Sequence, residues 1–241
     1  MDFDIEWHDR LGSTNAGMRE RFYASGTLPS GLVIAAREQT SGRGRQDRKW
    51  LSSPHTNLCF SLFLKTDADL IKVPSLTMAT ALGVTELLNS KSIRAAPKWP
   101  NDVLVNEKKI CGILSERVEQ ASDHGIIVGV GLNVNMSSEE ADIIDRPATS
   151  MLIESGHAYE LGQILEDLLP QLEYWMNKWT EGGFPAIRRI WTEKAGPIGK
   201  KLSVHDGDIR KTGTLAGFGD HGELLLETAD GLETIWSGEV S

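Results

Sequence analysis

The sequence predicts a body of mixed α and β structure, about 190 residues long, followed by a small antiparallel barrel of about 45 residues. Three observations predict this class. Apolar runs typical of buried strands recur in the first 134 residues. A helical apolar period then extends from residue 161 to residue 179. After Gly196-Pro197 the chain changes to short strand-like runs separated by turn pairs.

Strands and one helix are predicted in the first part of the body. Three apolar runs are typical of buried strands: residues 31–36, 58–64 and 125–134. Residues 75–89 predict a helix, because Met78, Leu82 and Leu88 fall on one face at the helical period. The alternation of such strands with a helix predicts a sheet covered by helices.

A longer helix follows near the end of the body. Its apolar residues share one face across five turns: Leu161, Ile164, Leu165, Leu168, Leu172, Trp175 and Trp179. Pro170 falls on the opposite face, so we expect a kink or a split there rather than loss of the helix. The tryptophans at this spacing indicate core packing rather than a cofactor site.

The chain after residue 195 is predicted to form a second domain, residues 196–241, behind a first domain of residues 1–195. Four strand-like runs are separated by Asp-Gly or His-Gly pairs: residues 201–204, 209–215, 224–227 and 232–236. Residues 217–222 formally match the GxGxxG pattern of dinucleotide sites. Strands rather than a helix follow, and Asp220 and Glu223 would repel a pyrophosphate, so we interpret this segment as a turn.

Composition excludes several functional classes. The 241 residues carry a formal net charge of −9, which opposes binding of nucleic acid unless basic residues cluster. Apolar runs are too short to span a bilayer, and the acidic N-terminus is unlike a signal peptide. Cys59 and Cys111 form neither a disulfide framework nor a CxxC pair. We therefore expect a soluble, cytoplasmic protein that contains no zinc and binds neither a membrane nor DNA.

A basic loop at residues 42–50 is the most unusual segment of this acidic chain. Its charged residues are Arg43, Arg45, Asp47, Arg48 and Lys49. Arginine forks bind phosphates in pairs of hydrogen bonds, glycines permit close approach of backbone, and Trp50 offers a face for a base. The functional interpretation is that this loop binds a polyphosphate next to a purine. A solvated basic loop and a nucleic-acid patch are the alternatives.

A hairpin is predicted where Lys98-Trp-Pro-Asn-Asp102 precedes an apolar run and a turn. It would bring Lys109 back near Asp102, so that a lysine and an acid meet at one strand end and bind phosphate and a metal ion. A surface hairpin with an incidental ion pair is the alternative.

Two weaker signals are Ser13-Thr-Asn15, which can also be a helix N-cap, and Gly129–Asn135, where glycines permit a ligand to approach backbone.

In this order the segments resemble the biotin–protein ligases over nearly the whole chain. The matching motifs are STN at 13–15, GRGRxxRxW at 42–50, KWPND at 98–102, KKIxGIL at 108–114, GxGxNVN at 129–135 and GELLLE at 222–227. The resemblance implies an α+β fold of the class II aminoacyl-tRNA synthetase type, a mixed sheet with flanking helices, and an SH3-like C-terminal barrel. Because STN begins at position 13, we expect the monofunctional kind, without the helix-turn-helix domain of a transcriptional repressor.

The resemblance implies a ligase that forms a C–N bond. Biotin and ATP are its substrates, Mg²⁺ is required, biotinyl-5′-AMP is the intermediate, and a lysine of a biotin carboxyl carrier protein domain is the acceptor. Members are monomers or homodimers, and the sequence leaves this open. A lipoate–protein ligase is the nearest alternative, and a ligand-sensing module without turnover is another.

The resemblance also assigns roles to individual residues. The biotin-binding residues are Ser13, Thr14, Asn15, Gln39, Arg43, Gly44, Arg45, Lys109, Gly112 and Leu114. The ATP-binding residues are Arg43, Arg45, Arg48, Trp50, Asn101, Lys109 and Asn133, with Trp50 covering the adenine and Asn133 contacting its edge. Lys109, Arg43 and Asp102 are the catalytic residues, and Asp102 either holds Mg²⁺ or orients the acceptor lysine.

Overall fold

Seven strands form a mixed sheet in this computed structural model, which describes residues 1–46, 48–207 and 209–241. Asp47 of the basic loop and Asp208 lie outside the described residues. The strands are β1 Asp4–His8, β2 Leu32–Ala36, β3 Asn57–Lys65, β4 Ala95–Lys98, β5 Asp102–Val105, β6 Lys108–Gln120 and β7 Asp123–Asn133. Their order is β1-β2-β3-β7-β6-β5-β4, with β1 parallel to β2 and the other neighbours antiparallel. The three predicted buried strands are confirmed as β2, β3 and β7.

Helices cover both faces of this sheet. They are α1 Thr14–Ser25, α2 Val73–Ser90, α3 Ser138–Asp142, α4 Met151–Ser155 and α5 Leu161–Ala195. Helix α2 is buried on most of its circumference because it lies between the sheet and α5. On the opposite face, Met18 and Phe22 of α1 pack against Phe63 and Ile127. Helix α1 covers only part of its face, and the uncovered part carries the site described below.

The long helix α5 buries the predicted apolar face, including Leu168, Trp175 and Trp179. Pro170 is exposed and its backbone stays helical, so of the expected kink or split, a split at this position is wrong. The interruption lies at Gly183, with φ 63° and ψ −156°. Glycine enters this region without the steric cost of a β-carbon.

The C-terminal part forms a second, antiparallel sheet of five strands. They are β8 Lys201–Asp206, β9 Ile209–Phe218, β10 Leu224–Thr228, β11 Gly231–Ile235 and β12 Glu239–Val240, in the order β11-β10-β9-β8-β12. This confirms the four predicted strands and is consistent with an SH3-like domain. The GxGxxG segment is the turn between β9 and β10, as interpreted. Its Gly222 carbonyl accepts a 3.0 Å hydrogen bond from buried Trp99 Nε1, which joins this sheet to the body.

The domain boundary at residue 195 stays a prediction. Phe218 of β9 packs edge-on against Trp191 and Phe184 of α5, with ring centroids 6.1 and 6.3 Å apart. The second sheet therefore shares a core with the body. Among the described residues, no helix is long and apolar enough to cross a membrane.

Candidate active site

A row of small residues opens a cavity on the face of the sheet that carries α1. The register aligns Cys59 of β3, Gly131 of β7, Gly112 of β6 and Asp102 of β5. Because two members of this row lack side chains, the surface of the sheet is recessed there. The resulting cavity has a volume of about 710 Å³, in the range of sites for nucleotides and other cofactors. Gly129 and Gly131 of the GxGxNVN motif leave room for the side chains of Asn15 and Trp50, and the approach of a ligand to them stays a prediction.

The indole of Trp50 covers the two glycines. A β-carbon on Gly131 would lie 2.5 Å from the Trp50 ring, and one on Gly112 would lie 3.0 Å from it. Trp50 N donates to Gly42 O at 2.9 Å, which fixes the end of the basic loop above the cavity. Buried Trp50 Nε1 has no hydrogen-bond partner among the described residues. The half-buried tryptophan therefore covers the glycine row rather than forming part of the core.

The predicted meeting of Lys109 and Asp102 is confirmed. Lys109 Nζ lies 2.6 Å from Asp102 Oδ1, and both side chains are partly buried at the cavity wall. The segment between α3 and α4 fixes the backbone of the lysine, since Lys109 N donates to Pro147 O at 2.9 Å. Neighbouring Asn101 donates through Nδ2 to Ile113 O at 2.9 Å. One cation and one carboxylate thus face the cavity from a rigid hairpin.

Polar groups at the start of α1 form one end of the cavity. Ser13 is the N-cap residue, but its side chain does not cap the helix. Thr14 N and Oγ1 donate to Gln39 Oε1 at 2.7 and 3.1 Å. Asn15 Nδ2 donates to Leu114 O at 3.2 Å. The structure therefore brings together five of the predicted biotin-binding residues.

Three polar residues behind this end were not predicted from the sequence. Ser61 Oγ lies 2.7 Å from Thr14 Oγ1 and 2.6 Å from Asn15 Oδ1. Glu116 Oε2 accepts from Asn15 Nδ2 at 2.7 Å, and Glu116 Oε1 accepts from Arg19 at 2.9 Å. A serine within the apolar run 58–64 is the only sequence signal for any of them. Ser61, Glu116 and Arg19 contact residues that are far from them in the sequence, so local sequence patterns do not predict their role.

The basic loop folds back on itself and docks onto the second sheet. Gly44 N donates to Arg48 O at 2.7 Å. The backbones of Arg43 and Lys49 pair as an isolated antiparallel β-bridge. Arg48 donates to Glu239 Oε2 at 2.9 Å, and Glu239 also pairs with Arg146. Arg146 was not predicted from the sequence.

Arg45 and Arg43 differ in their surroundings. Arg45 donates to Asn101 Oδ1 at 3.3 Å and to Gly238 O at 3.5 Å. Burial lowers the pKa of the Arg45 guanidinium, and the neighbouring carboxylates of Asp102 and Asp206 oppose this effect. Arg43 is exposed at the cavity rim. One arginine is thus fixed in the wall and the other is available to a ligand.

Asn133 lines the cavity but its amide is already engaged. Its Nδ2 donates to Thr149 O at 2.9 Å, and its Oδ1 accepts from Asn57 Nδ2 at 3.3 Å.

Burial raises the pKa of the Cys59 thiol to about 12, so this group stays neutral near pH 7. Cys59 is therefore not a nucleophile, and the chemistry of the cavity belongs to its charged and polar groups.

Sequence and structure comparisons place this fold in a known class. A model of the biotin/lipoate A/B protein ligase family matches residues 7–133. The chain belongs to this family.

Within the family, the chain is similar to proteins named for biotin. It is 32% identical over 239 residues to the biotin–[acetyl-CoA-carboxylase] ligase of Paracoccus denitrificans, covering 96% of this chain and 97% of that protein. It is also 32% identical to the bifunctional ligase/repressor BirA of Bacillus subtilis, covering 97% of this chain and 72% of BirA. The biotin protein ligase of Aquifex aeolicus in complex with biotin and ATP superposes with a TM-score of 0.82 at 31% identity, covering 99% of this chain and 97% of that one.

Proposed function

We propose that this chain activates biotin with ATP to biotinyl-5′-AMP and transfers the biotinyl group to a lysine of a biotin carboxyl carrier protein domain. The observation that carries the proposal is the position of the Lys109–Asp102 pair. It lies in one cavity with the polar groups of α1 and with the basic loop. A carboxylic acid and a nucleotide held at these two ends would meet at Lys109. The similarity to named biotin ligases over the full chain supports biotin as the acid.

In the first step, a biotin carboxylate oxygen attacks the α-phosphorus of ATP. The bond from that phosphorus to the β-phosphate oxygen breaks, and pyrophosphate leaves. Two anions must approach each other, so cations are required at the reacting atoms. We assign Lys109 to the carboxylate and α-phosphate, Arg43 to the developing charge, and Arg45, Arg48 and Asn101 to the nucleotide side.

The polar groups of α1 suit the ureido head of biotin. A urea has two N–H donors and one carbonyl acceptor, and Ser13, Thr14, Asn15 and Gln39 supply hydroxyl and amide groups around it. We assign Gly44, Gly112 and Leu114 to the remainder of biotin, where glycine and backbone permit close contact. Trp50 covers the glycine row and would have to move to admit a ligand, after which its face is available to the adenine. Asn133 would contact the adenine edge through a lone pair or proton not used by Thr149 and Asn57.

Magnesium would enter with ATP. Among the described residues, no three His, Cys, Asp or Glu groups are placed to hold a metal by themselves. Asp102 Oδ1 is paired with Lys109 Nζ at 2.6 Å, and this carboxylate would serve as a single ligand beside phosphate oxygens and water once Lys109 turns to the bound anions. When bound, Mg²⁺ would neutralise the phosphate charge. The alternative for Asp102 is an ion pair with the acceptor lysine.

In the second step, the carrier lysine amine attacks the carbonyl carbon of the adenylate. The C–O bond to AMP breaks, an amide forms, and one proton is released. The mixed anhydride must be protected from water until the carrier arrives. Trp50 and the docked basic loop supply this cover. Because ATP and the carboxylase carrier are cytoplasmic, we propose that the reaction takes place in the cytoplasm.

The test is incubation with biotin, Mg²⁺-ATP and a recombinant biotin carboxyl carrier domain, followed by mass spectrometry of the carrier. We expect a mass increase of one biotinyl group that requires ATP and the acceptor lysine. A parallel reaction with lipoic acid and a lipoyl domain should give no increase. Modification of the lipoyl domain alone would overturn the proposal in favour of the lipoate branch of the family.

A further inference from the structure

A half-buried ion pair lies behind the polar end of the cavity. Asn15 and Arg19 are one turn apart on α1, and both donate to Glu116 of β6. The side chains of Arg19 and Glu116 are 32% and 21% exposed, so the pair is largely shielded from solvent. Hydrogen bonds to a charged group in such a setting are stronger than neutral ones. Glu116 is therefore a strong acceptor at a fixed place.

This acceptor determines which way the Asn15 amide faces. Both partners of Asn15 Nδ2, Glu116 Oε2 and Leu114 O, are acceptors without protons. A rotation of the amide by half a turn would place its oxygen against both of them. The Asn15 oxygen must therefore face Ser61 and the cavity, with its Nδ2 directed away.

The cavity end is short of donor protons as a consequence. Three oxygens meet there, those of Asn15, Ser61 and Thr14, and the Ser61 hydroxyl has one proton for the two neighbours at 2.6 and 2.7 Å. Thr14 Oγ1 donates its own proton to Gln39. A bound group that brings N–H donors would complete this network. A cyclic urea brings two.

We propose that Glu116, held by Arg19, is a positioning residue that keeps the Asn15 oxygen directed at the ureido N–H of the ligand. The inference rests on the proposed function, since it specifies how the biotin end of the same site is selected. Glu116 itself is separated from the cavity by Asn15. Its effect is therefore on recognition of the urea rather than on ATP or the reacting atoms.

The experiment measures biotin binding without nucleotide by titration calorimetry, with circular dichroism melting as a check of folding. Glu116→Leu removes the acceptor, and we expect biotin affinity to fall about tenfold, as for loss of a charge-assisted hydrogen bond. Glu116→Gln keeps an acceptor oxygen and should stay within about threefold of the wild type. The double variant Arg19→Met/Glu116→Leu leaves no unpaired charge and should lose as much affinity as Glu116→Leu. Glu119→Leu, on the exposed end of the same strand, should bind normally.

Desthiobiotin provides the second arm, because it keeps the urea and lacks the thioether ring. Glu116→Leu should weaken desthiobiotin and biotin by the same factor. Wild-type affinity in Glu116→Leu, an equal loss in Glu116→Gln and Glu116→Leu, or loss of biotin affinity without loss of desthiobiotin affinity would each overturn the inference. Failure of the wild-type chain to bind biotin would instead overturn the proposed function.

Discussion

Lys109 Nζ lies 2.6 Å from Asp102 Oδ1 because strand β6 contains a bulge at Ile110. In the β5–β6 register Val103 faces Cys111 and Leu104 faces Lys109, so Ile110 is the extra residue. Ile110 and Cys111 are both buried in the core beneath the sheet. Strict alternation would put Lys109 and Gly112 on opposite faces, since they are three residues apart. The bulge brings both onto the cavity face.

Removing either cation of the reaction centre should strongly slow adenylate formation. We expect Lys109→Ala and Arg43→Ala to lower biotin-dependent ATP–pyrophosphate exchange by about 10²–10³-fold while the fold is kept, as for loss of one group that stabilises developing charge. Lys108→Ala, the exposed neighbour on the same strand, is the matched control and should exchange normally. Exchange at the wild-type rate in Lys109→Ala would contradict its assigned role.

Closing the recess in β7 should weaken biotin binding. A β-carbon on Gly129 would lie 2.1 Å from Asn15 Oδ1, so Gly129→Ala must displace the amide that faces the ligand. We expect at least about a tenfold loss of biotin affinity by calorimetry, in proportion to a lost hydrogen bond. Gly12→Ala, with nothing within 4 Å of its added carbon, is the control and should bind like the wild type. Equal biotin affinities of Gly129→Ala and Gly12→Ala would contradict this interpretation.

Glu239 should protect the basic loop from proteolysis. It pairs with Arg48 of the loop and with Arg146 of the body. We expect trypsin to cut after Arg45 and Arg48 several-fold faster in Glu239→Gln, as measured by fragment masses, with biotin and ATP slowing cleavage in both proteins. Glu233→Gln removes a carboxylate of the same sheet that pairs with Lys211 instead, and it should cleave at the wild-type rate.

The same contact predicts a dependence on pH. Burial raises the pKa of Glu239, but the hydrogen bond from Arg48 and the charge of Arg146 outweigh it, so the net pKa lies below the ordinary 4.5. A lowered carboxyl pKa stabilises the folded state fully above the ordinary value, and the stabilisation disappears as the pH falls through the lowered one. The stability difference between wild type and Glu239→Gln in urea should be equal at pH 7.5 and 5.5. It should shrink only below about pH 4.5. A difference that already changes between pH 7.5 and 5.5 would argue against this contact.

Two glycines of α1 should respond oppositely to alanine. Gly17 lies inside the helix with nothing within 4 Å of an added carbon, so Gly17→Ala should raise the free energy of unfolding by about 0.5–1 kcal/mol. Gly26 follows the last residue of the helix with φ 78°, a conformation in which alanine is strained. Gly26→Ala should therefore lower the free energy of unfolding by about 1 kcal/mol. Urea unfolding followed by circular dichroism measures both. A destabilised Gly17→Ala would show that this turn of α1 is not regular in solution.

Much of the fold was predictable from local patterns. The buried strands β2, β3 and β7 and the face of α5 follow from apolar runs and helical spacing, which depend on nearby residues alone. The turn between β9 and β10 follows from its glycines and from the strands around it. The sequence predicts a kink or a split of α5 at Pro170, because proline removes a backbone donor, yet the non-helical backbone lies at Gly183, in a conformation that glycine adopts easily.

The sequence by itself determined which chemical groups are present: the arginines between glycines, the Lys109–Asp102 hairpin and the amides of the first helix. Their residue types and short spacings carry this information locally. Only the tertiary structure decided how they meet, because Glu116 reaches Asn15 across 101 positions and Glu239 reaches Arg48 across 191. Such contacts depend on strand register and on a single bulged residue, and a register shift of one residue reverses which face each side chain occupies.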